Sequence, residues 1–279
     1  MKFGFVTCVQ LGLACMEEIY AAGGDLNLCL TLTDDRAQKK SGRVFIDDFC
    51  ARHNIDLVKI RHINDEDAIS AIKEHEIDWL FIIGWSQIAG QAVLDAPKRG
   101  VLGIHPTLLP VGRGRAPIPW AILKGLEQTG VTLFKLDAGV DTGEILAQEI
   151  LPIAPDETAT TLYARVNEAH KTIISNIWQG LVNDTLELQR QDEASATIWE
   201  GRTPEDGRIT TDMTVEYVDR LVRATTHPYP GAFIKRSYDG DILRIWSGRI
   251  SDIDHTIADR SELIELSDGV YEALDFEIE

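Results

Sequence analysis

The sequence predicts an α/β fold: a Rossmann-like, mostly parallel sheet flanked by helices, followed by a small C-terminal β-rich domain. Three observations predict it. Short apolar, β-rich runs alternate with stretches of helical spacing through the first half of the chain, the pattern of a parallel sheet covered by helices. One run, Trp79-Leu-Phe-Ile-Ile83, is apolar without a break between Asp78 and Gly84, as strands buried on both faces are. From about Gly201 the character changes, with a polar breaker cluster at Pro204, Asp206 and Gly207 and short β segments beyond. The expected division is an α/β domain over residues 1–200 and a small helix-plus-β domain over 201–279.

The elements follow in order. Residues 3–8 make a first strand, and 12–22 a helix that stops at Gly23-Gly24. Strands are expected at 27–33 and 56–60, separated by a helix at 45–53. A helix over 65–74 carries acidic residues in its first turn. After the 79–83 strand comes another at 101–105, a helix at 118–124, and a β pair at 131–136 and 145–153. Residues 158–181 form a long helix whose Leu162, Val166, Ala169, Ile173, Ile177 and Leu181 share one face. A last amphipathic helix covers 214–225. Three β segments, 232–238, 241–247 and 263–274, complete the chain.

Composition excludes some partners. The 279 residues are 44% apolar and 26% charged, as in ordinary globular chains, and carry a formal charge of −18. A chain this acidic repels nucleic-acid phosphates and anionic membranes unless it holds a basic patch, and none is visible. Cys8, Cys15, Cys29 and Cys50 lack CxxC spacing and sit in apolar runs, so they are expected as buried free thiols in a cytoplasmic protein, with no metal site. The N-terminal apolar run is broken by Thr7, Gln10 and Gly12. A strand turning into a helix explains it better than a signal peptide does.

Ligands of such sheets bind beyond the carboxyl ends of the strands, which directs attention to residues 9–12, 84–89 and 105–110. His105 ends a strand and opens the loop His105-Pro-Thr-Leu-Leu-Pro-Val-Gly-Arg-Gly-Arg-Ala-Pro. The β pair that follows has the tip Asp137-Ala-Gly-Val-Asp141-Thr-Gly143. There Gly139 and Gly143 can take backbone angles other residues avoid. A His and a carboxylate brought together handle protons, but the residues alone do not say that these two meet. Arg113 and Arg115 are either anion clamps or solvated loop residues. Trp85 either walls a ligand site or packs. His227 and Tyr229 are expected to be structural, and His53, His62, His75, His170 and His255 to lie at the surface.

Three segments together resemble the formyltransferase family that uses 10-formyltetrahydrofolate. They are His-x-x-Leu-Leu-Pro…Arg-Gly from His105, Gly-Val-Thr-Leu from Gly130, and Gly-Val-Asp-Thr-Gly from Gly139 with Gln148 beyond. The likeness continues through Gly201-Arg-Thr-Pro-Glu-Asp and Pro228-Tyr-Pro-Gly-Ala-Phe, and covers roughly residues 1 to 250. It implies that His105 polarises the formyl oxygen, that Asp141 holds that ring and helps remove the amine proton, and that the folate lies against Ser86, Gln87, Ile88, Ala89, Gly139 and Val140. One position departs from the pattern. The family usually shows Asn-x-His, and here the Asn position is Gly103. Another donor such as Thr107 or a water replaces the amide, or the enzyme is slow, or the activity is changed.

Among the family's acceptors, the acidic charge argues against tRNA. The last two motifs resemble the formyltransferase part of the enzyme that modifies aminoarabinose for lipid A. The resemblance therefore implies a small-molecule amine, the amino group of a nucleotide-linked sugar; if Arg113 and Arg115 are clamps rather than solvated loop residues, its phosphates are the anion they would bind. A formyltetrahydrofolate hydrolase and a non-catalytic folate- or nucleotide-binding homologue are the rivals. The sequence leaves a homo-oligomer open.

Overall fold

The computed structural model describes residues 1–37, 43–236, 240–251 and 261–279. His255 and the end of the expected 232–238 strand lie outside them. The chain forms two compact units. The first comprises residues 1–113, 130–150 and 167–197, and the second 114–129, 151–166 and 198–279. The second unit thus joins residues 114–129 and 151–166 to the C-terminal segment 198–279.

The first unit is built on β1 (Phe3–Val6), α1 (Gln10–Ala21), β2 (Leu28–Leu32), α2 (Asp34–Ala37), α3 (Asp47–His53), β3 (Asp56–Ile60), α4 (Glu66–Glu74), β4 (Trp79–Ile82), α5 (Gln91–Leu94) and β5 (Gly100–His105). Beyond them run β6 (Arg113–Gly114), α6 (Pro117–Leu123), β7 (Gln128–Lys135), β8 (Ile145–Pro152) and α7 (Ala159–Asn183). The sheet order is β3-β2-β1-β4-β5-β7-β8. β1 to β5 are mutually parallel, and β7 joins β5 antiparallel. The chain winds outward from β1 to β3, then returns to place β4 on the other side of β1. This reversal opens a crevice at the carboxyl ends of β1 and β4, where α/β sheets hold ligands.

Alternation along the strands decides what each face buries. Phe3, Phe5 and Phe81 lie on one face, where Trp178 of α7 packs at 4.5 Å from Phe3. Val6, Leu28, Leu30 and Leu80 lie on the other, against Ala68 and Ile72 of α4. Burial of each such side chain contributes about 1.5–3 kcal/mol. α1 stops where expected: Gly23 has a φ of 79°, and the N–H of Gly24 reaches back to the Ile19 carbonyl at 2.8 Å. All four cysteines are buried and none is in a disulfide, and burial pushes the Cys15 thiol up to about 12. His170, expected at the surface, is buried on α7 at 4% exposure.

The second unit holds α6, the short β9 (Ile198–Trp199), α8 (Val215–Thr225) and a four-stranded antiparallel sheet. Its strands are β10 (Ala232–Lys235), β11 (Ile242–Ser251), β12 (Glu262–Leu266) and β13 (Gly269–Ile278), in the order β10-β11-β13-β12. α8 starts at Thr214, whose side chain accepts from the Tyr217 N–H, and packs Val218, Leu221 and Val222 inward. The single segment expected over 263–274 is instead a hairpin, β12 and β13, turning at Ser267 and Asp268. Asp-Gly at 268–269 is a hairpin turn signal that the run of β-formers around it obscured. No helix among the described residues is long and apolar enough to cross a membrane.

Candidate active site

β5 ends at His105, which pairs with Thr132 on β7. The ring is 7% exposed. Its Nε2 donates to the Gly112 carbonyl at 2.8 Å. A carbonyl only accepts, so Nε2 carries a hydrogen and, in the neutral ring, Nδ1 keeps its lone pair. Nδ1 faces Asp141 Oδ2 at 3.6 Å. Two acceptors facing each other call for a proton between them, supplied by a charged ring or by an inserted donor such as a water or an amine.

The loop that carries this ring is held from below. Thr132 is fully buried. Its hydroxyl donates to the Thr107 carbonyl at 2.7 Å and accepts from the Leu109 N–H at 3.1 Å and from Gln148 Nε2 at 2.9 Å. Gln148 also donates to the Leu109 carbonyl at 2.8 Å. The hydroxyl thus uses its one hydrogen and both lone pairs. Gly112 is fixed from the far side by Thr197, whose Oγ1 accepts from the Gly112 N–H at 2.8 Å.

Asp141 sits in the tip between β7 and β8. Asp137 Oδ1 accepts from the Gly139 N–H at 3.0 Å and from Thr142 Oγ1 at 2.7 Å, closing the turn. The residue with left-handed backbone is Asp141 itself, at φ 54°, and neither Gly139 nor Gly143 has a positive φ. Those glycines serve close approach instead. A Cβ on Gly143 would stand 1.7 Å from the Lys135 carbonyl oxygen, and one on Gly139 2.0 Å from Thr142 Oγ1.

The other predicted residues fall as follows. Gln87 spends its side chain on the backbone after β3: Oε1 accepts from the Ile63 N–H at 2.8 Å and Nε2 donates to the Arg61 carbonyl at 3.1 Å. Asn64 binds the Ile88 carbonyl at 3.0 Å and the Gly90 N–H at 2.7 Å. The loop after β4 is thereby fastened to the loop after β3. Ser86 is exposed and Ala89 partly so. Ile88 is 86% exposed and Val140 66%. Trp85 packs against Cys8 and Leu32, and its buried Nε1–H has no partner among the described residues. The buried Thr107 hydroxyl has none either.

Arg113 is not a free cation. It is 4% exposed, and its guanidinium meets Glu193 through two hydrogen bonds of 2.9 and 2.7 Å and Gln191 through two of 3.1 and 2.8 Å. Glu193 holds the guanidinium above its ordinary range, and Arg113 holds the Glu193 carboxyl below its own. This geometry makes Arg113 a structural anchor rather than an anion clamp. Arg115 belongs to the second unit and is exposed, with Nη1 over the Gly201 backbone. At Gly103 a Cβ would meet Leu136 Cδ2 at 2.6 Å, so the volume next to this glycine is taken by a leucine.

Sequence reasoning missed Gln191, Thr197 and Glu193. They lie in a polar stretch with no periodicity, and what they touch is far away in sequence. His105, Asp141 and Gln148 were visible only through the motifs around them.

A doubly wound sheet with a histidine facing a carboxylate beyond its strand ends defines an α/β architecture. Two family models specify it: one described as formyl transferase matches residues 33–177, and one described as formyl transferase, C-terminal domain, matches 202–271. The chain belongs to the formyl transferase family and is an enzyme. It is 26% identical over 254 residues to a methionyl-tRNA formyltransferase of Lachnospira eligens, covering 90% of this chain and 80% of that one. Solved structures share the fold. An N-formyltransferase from Helicobacter canadensis, in complex with folinic acid and dTDP-3-aminofucose, gives a TM-score of 0.71 at 17% identity over 99% of this chain and 100% of that one. Methionyl-tRNA formyltransferase from Clostridium thermocellum gives 0.62 at 20% over 100% and 99%.

Proposed function

We propose that the chain transfers a formyl group from 10-formyltetrahydrofolate to the primary amine of a nucleotide-linked amino sugar, with His105 and Asp141 as the reacting pair. The observation that carries the chemistry is the His105 ring, its Nε2 hydrogen committed to Gly112 and its Nδ1 turned to Asp141 across 3.6 Å. The residues around it suit the donor. Exposed Ile88 and Val140 offer apolar contact to a flat ring. When bound, the folate supplies the activated one-carbon group. His105, charged on Nδ1, places positive charge where the oxyanion develops. Asp141 keeps that proton on the ring and, through water, relays the proton the amine loses to the folate nitrogen from which the formyl group departs.

The charge of −18 supports a small acceptor over tRNA. The Helicobacter neighbour, named with a dTDP-linked aminofucose, supports the same choice. The relatives named as methionyl-tRNA formyltransferases favour the second reading, a tRNA acceptor. The test is tetrahydrofolate release from 10-formyltetrahydrofolate with a panel of nucleotide-linked amino sugars, with charged initiator tRNA, and with no acceptor. Release that requires a sugar amine is expected. Release without any amine would mean a hydrolase, and release only with tRNA would select the second reading. His105→Ala and Asp141→Asn should each lower kcat by about 10²–10⁴-fold while the fold persists; near-normal turnover in either would remove that residue from the mechanism.

A further inference from the structure

Gln191 is bound to the site by its whole amide. Its Nε2 donates to the carbonyl of Asp141 at 2.8 Å and to that of Gly143 at 2.7 Å. Its Oε1 accepts from Arg113 Nε at 3.1 Å and Nη2 at 2.8 Å. Both hydrogens and both lone pairs are used, so the amide cannot flip without losing all four bonds. Arg113 is fixed in turn by Glu193. One of the two carbonyls that Gln191 grips belongs to Asp141 itself, at φ 54°, a backbone conformation that residues other than glycine rarely adopt, and the other lies two residues on. The same segment, 189–197, pairs with β8 through the Ile145–Gln189 bridge and holds Gly112 through Thr197. It therefore touches the backbone behind both members of the reacting pair.

We infer that Gln191 is a positioning residue, which holds Asp141 in its left-handed conformation and so sets the carboxylate against His105 Nδ1, with Arg113 and Glu193 as its anchor. The inference rests on the reading of His105 and Asp141 as the reacting pair and names what keeps them in register. Without the Nε2 donors the tip relaxes toward ordinary backbone angles, and the carboxylate swings out of line with the ring. Small misplacements of this kind cost catalytic rate rather than binding.

The test uses the full chain and does not depend on knowing the acceptor. The ring nitrogens of His105 are followed by long-range proton–nitrogen correlation at neutral pH, with folding checked by circular dichroism. Asp141→Asn should move these signals. Gln191→Ala should move them in the same direction, and the double variant no further than Asp141→Asn alone. Gln191→Glu, which still accepts from Arg113 but sets a carboxylate oxygen against two carbonyls, should act like Gln191→Ala and serves if the alanine variant folds poorly. In turnover with the acceptor the panel identifies, Gln191→Ala should lower kcat about 10- to 100-fold and leave KM for the donor within about twofold. Unmoved His105 signals in both Gln191 variants, beside moved signals in Asp141→Asn, would overturn this inference alone. Unmoved signals in Asp141→Asn would overturn the pair itself and the inference with it.

Discussion

At the scale of single residues, Gly103 is where this chain departs most from the pattern it otherwise follows. A family asparagine there would donate to the developing oxyanion, and loss of such a donor costs about 10²–10³ in rate when nothing replaces it. The structure changes what restoring it would do. Leu136 Cδ2 stands 2.6 Å from where the new Cβ would be, so the space belongs to a leucine and not to substrate. Gly103→Asn alone should therefore overpack the site, lose about 1–3 kcal/mol of stability and gain no rate. Gly103→Asn with Leu136→Ala makes room for the amide and should turn over at least about tenfold faster than Leu136→Ala alone. Steady-state rates of the four chains decide it. A double variant no faster than Leu136→Ala would mean that the oxyanion already has its donor, for which the unpartnered Thr107 hydroxyl is the nearest candidate in sequence.

At the scale of elements, the site depends on how loops are fastened to strands. Thr132 on β7 is the hub, holding the loop after β5 by its backbone at Thr107 and Leu109. Thr132→Val keeps the shape and removes the hydroxyl, leaving the Leu109 N–H without its acceptor in a buried place. The expected cost is about 1–3 kcal/mol, read as a lower urea midpoint, with a fall in kcat because the His105 loop loosens. An unchanged midpoint would mean that the loop is held elsewhere. The strands themselves were legible in the sequence because burial on both faces leaves an unbroken apolar run, as in Trp79-Leu-Phe-Ile. The tip around Asp141 was legible as a turn but for a partly wrong reason: its glycines serve close approach, and the aspartate carries the unusual φ. Gln191 was not legible, since a glutamine gripping carbonyls some 50 positions away leaves no local pattern. Arg113 was misjudged for the same cause, because its partners Gln191 and Glu193 lie 78 and 80 positions on.

At the scale of the whole molecule, charge is the property that bears on the acceptor. The chain holds 27 lysines and arginines against 45 aspartates and glutamates. Many of the arginines are already paired, including Arg99 with Asp184, Arg165 with Glu157, Arg244 with Glu279 and Arg249 with Glu272. A tRNA is bound by neutralising phosphates and releasing their counterions, which makes affinity fall steeply with salt. A surface whose cations are engaged by its own carboxylates has little to offer that process. Filter binding of charged initiator tRNA should therefore give a Kd no tighter than about 10⁻⁴ M at physiological salt, the weak end of non-specific binding, with a shallow salt slope. Calorimetric titration of the nucleotide-linked amino sugar that supports turnover should instead saturate and change little over the same salt range, since it presents only a diphosphate. Sub-micromolar tRNA binding with a slope of several counterions would show that a local basic face outweighs the net charge, and would move the acceptor to the tRNA that the curated relatives are named for.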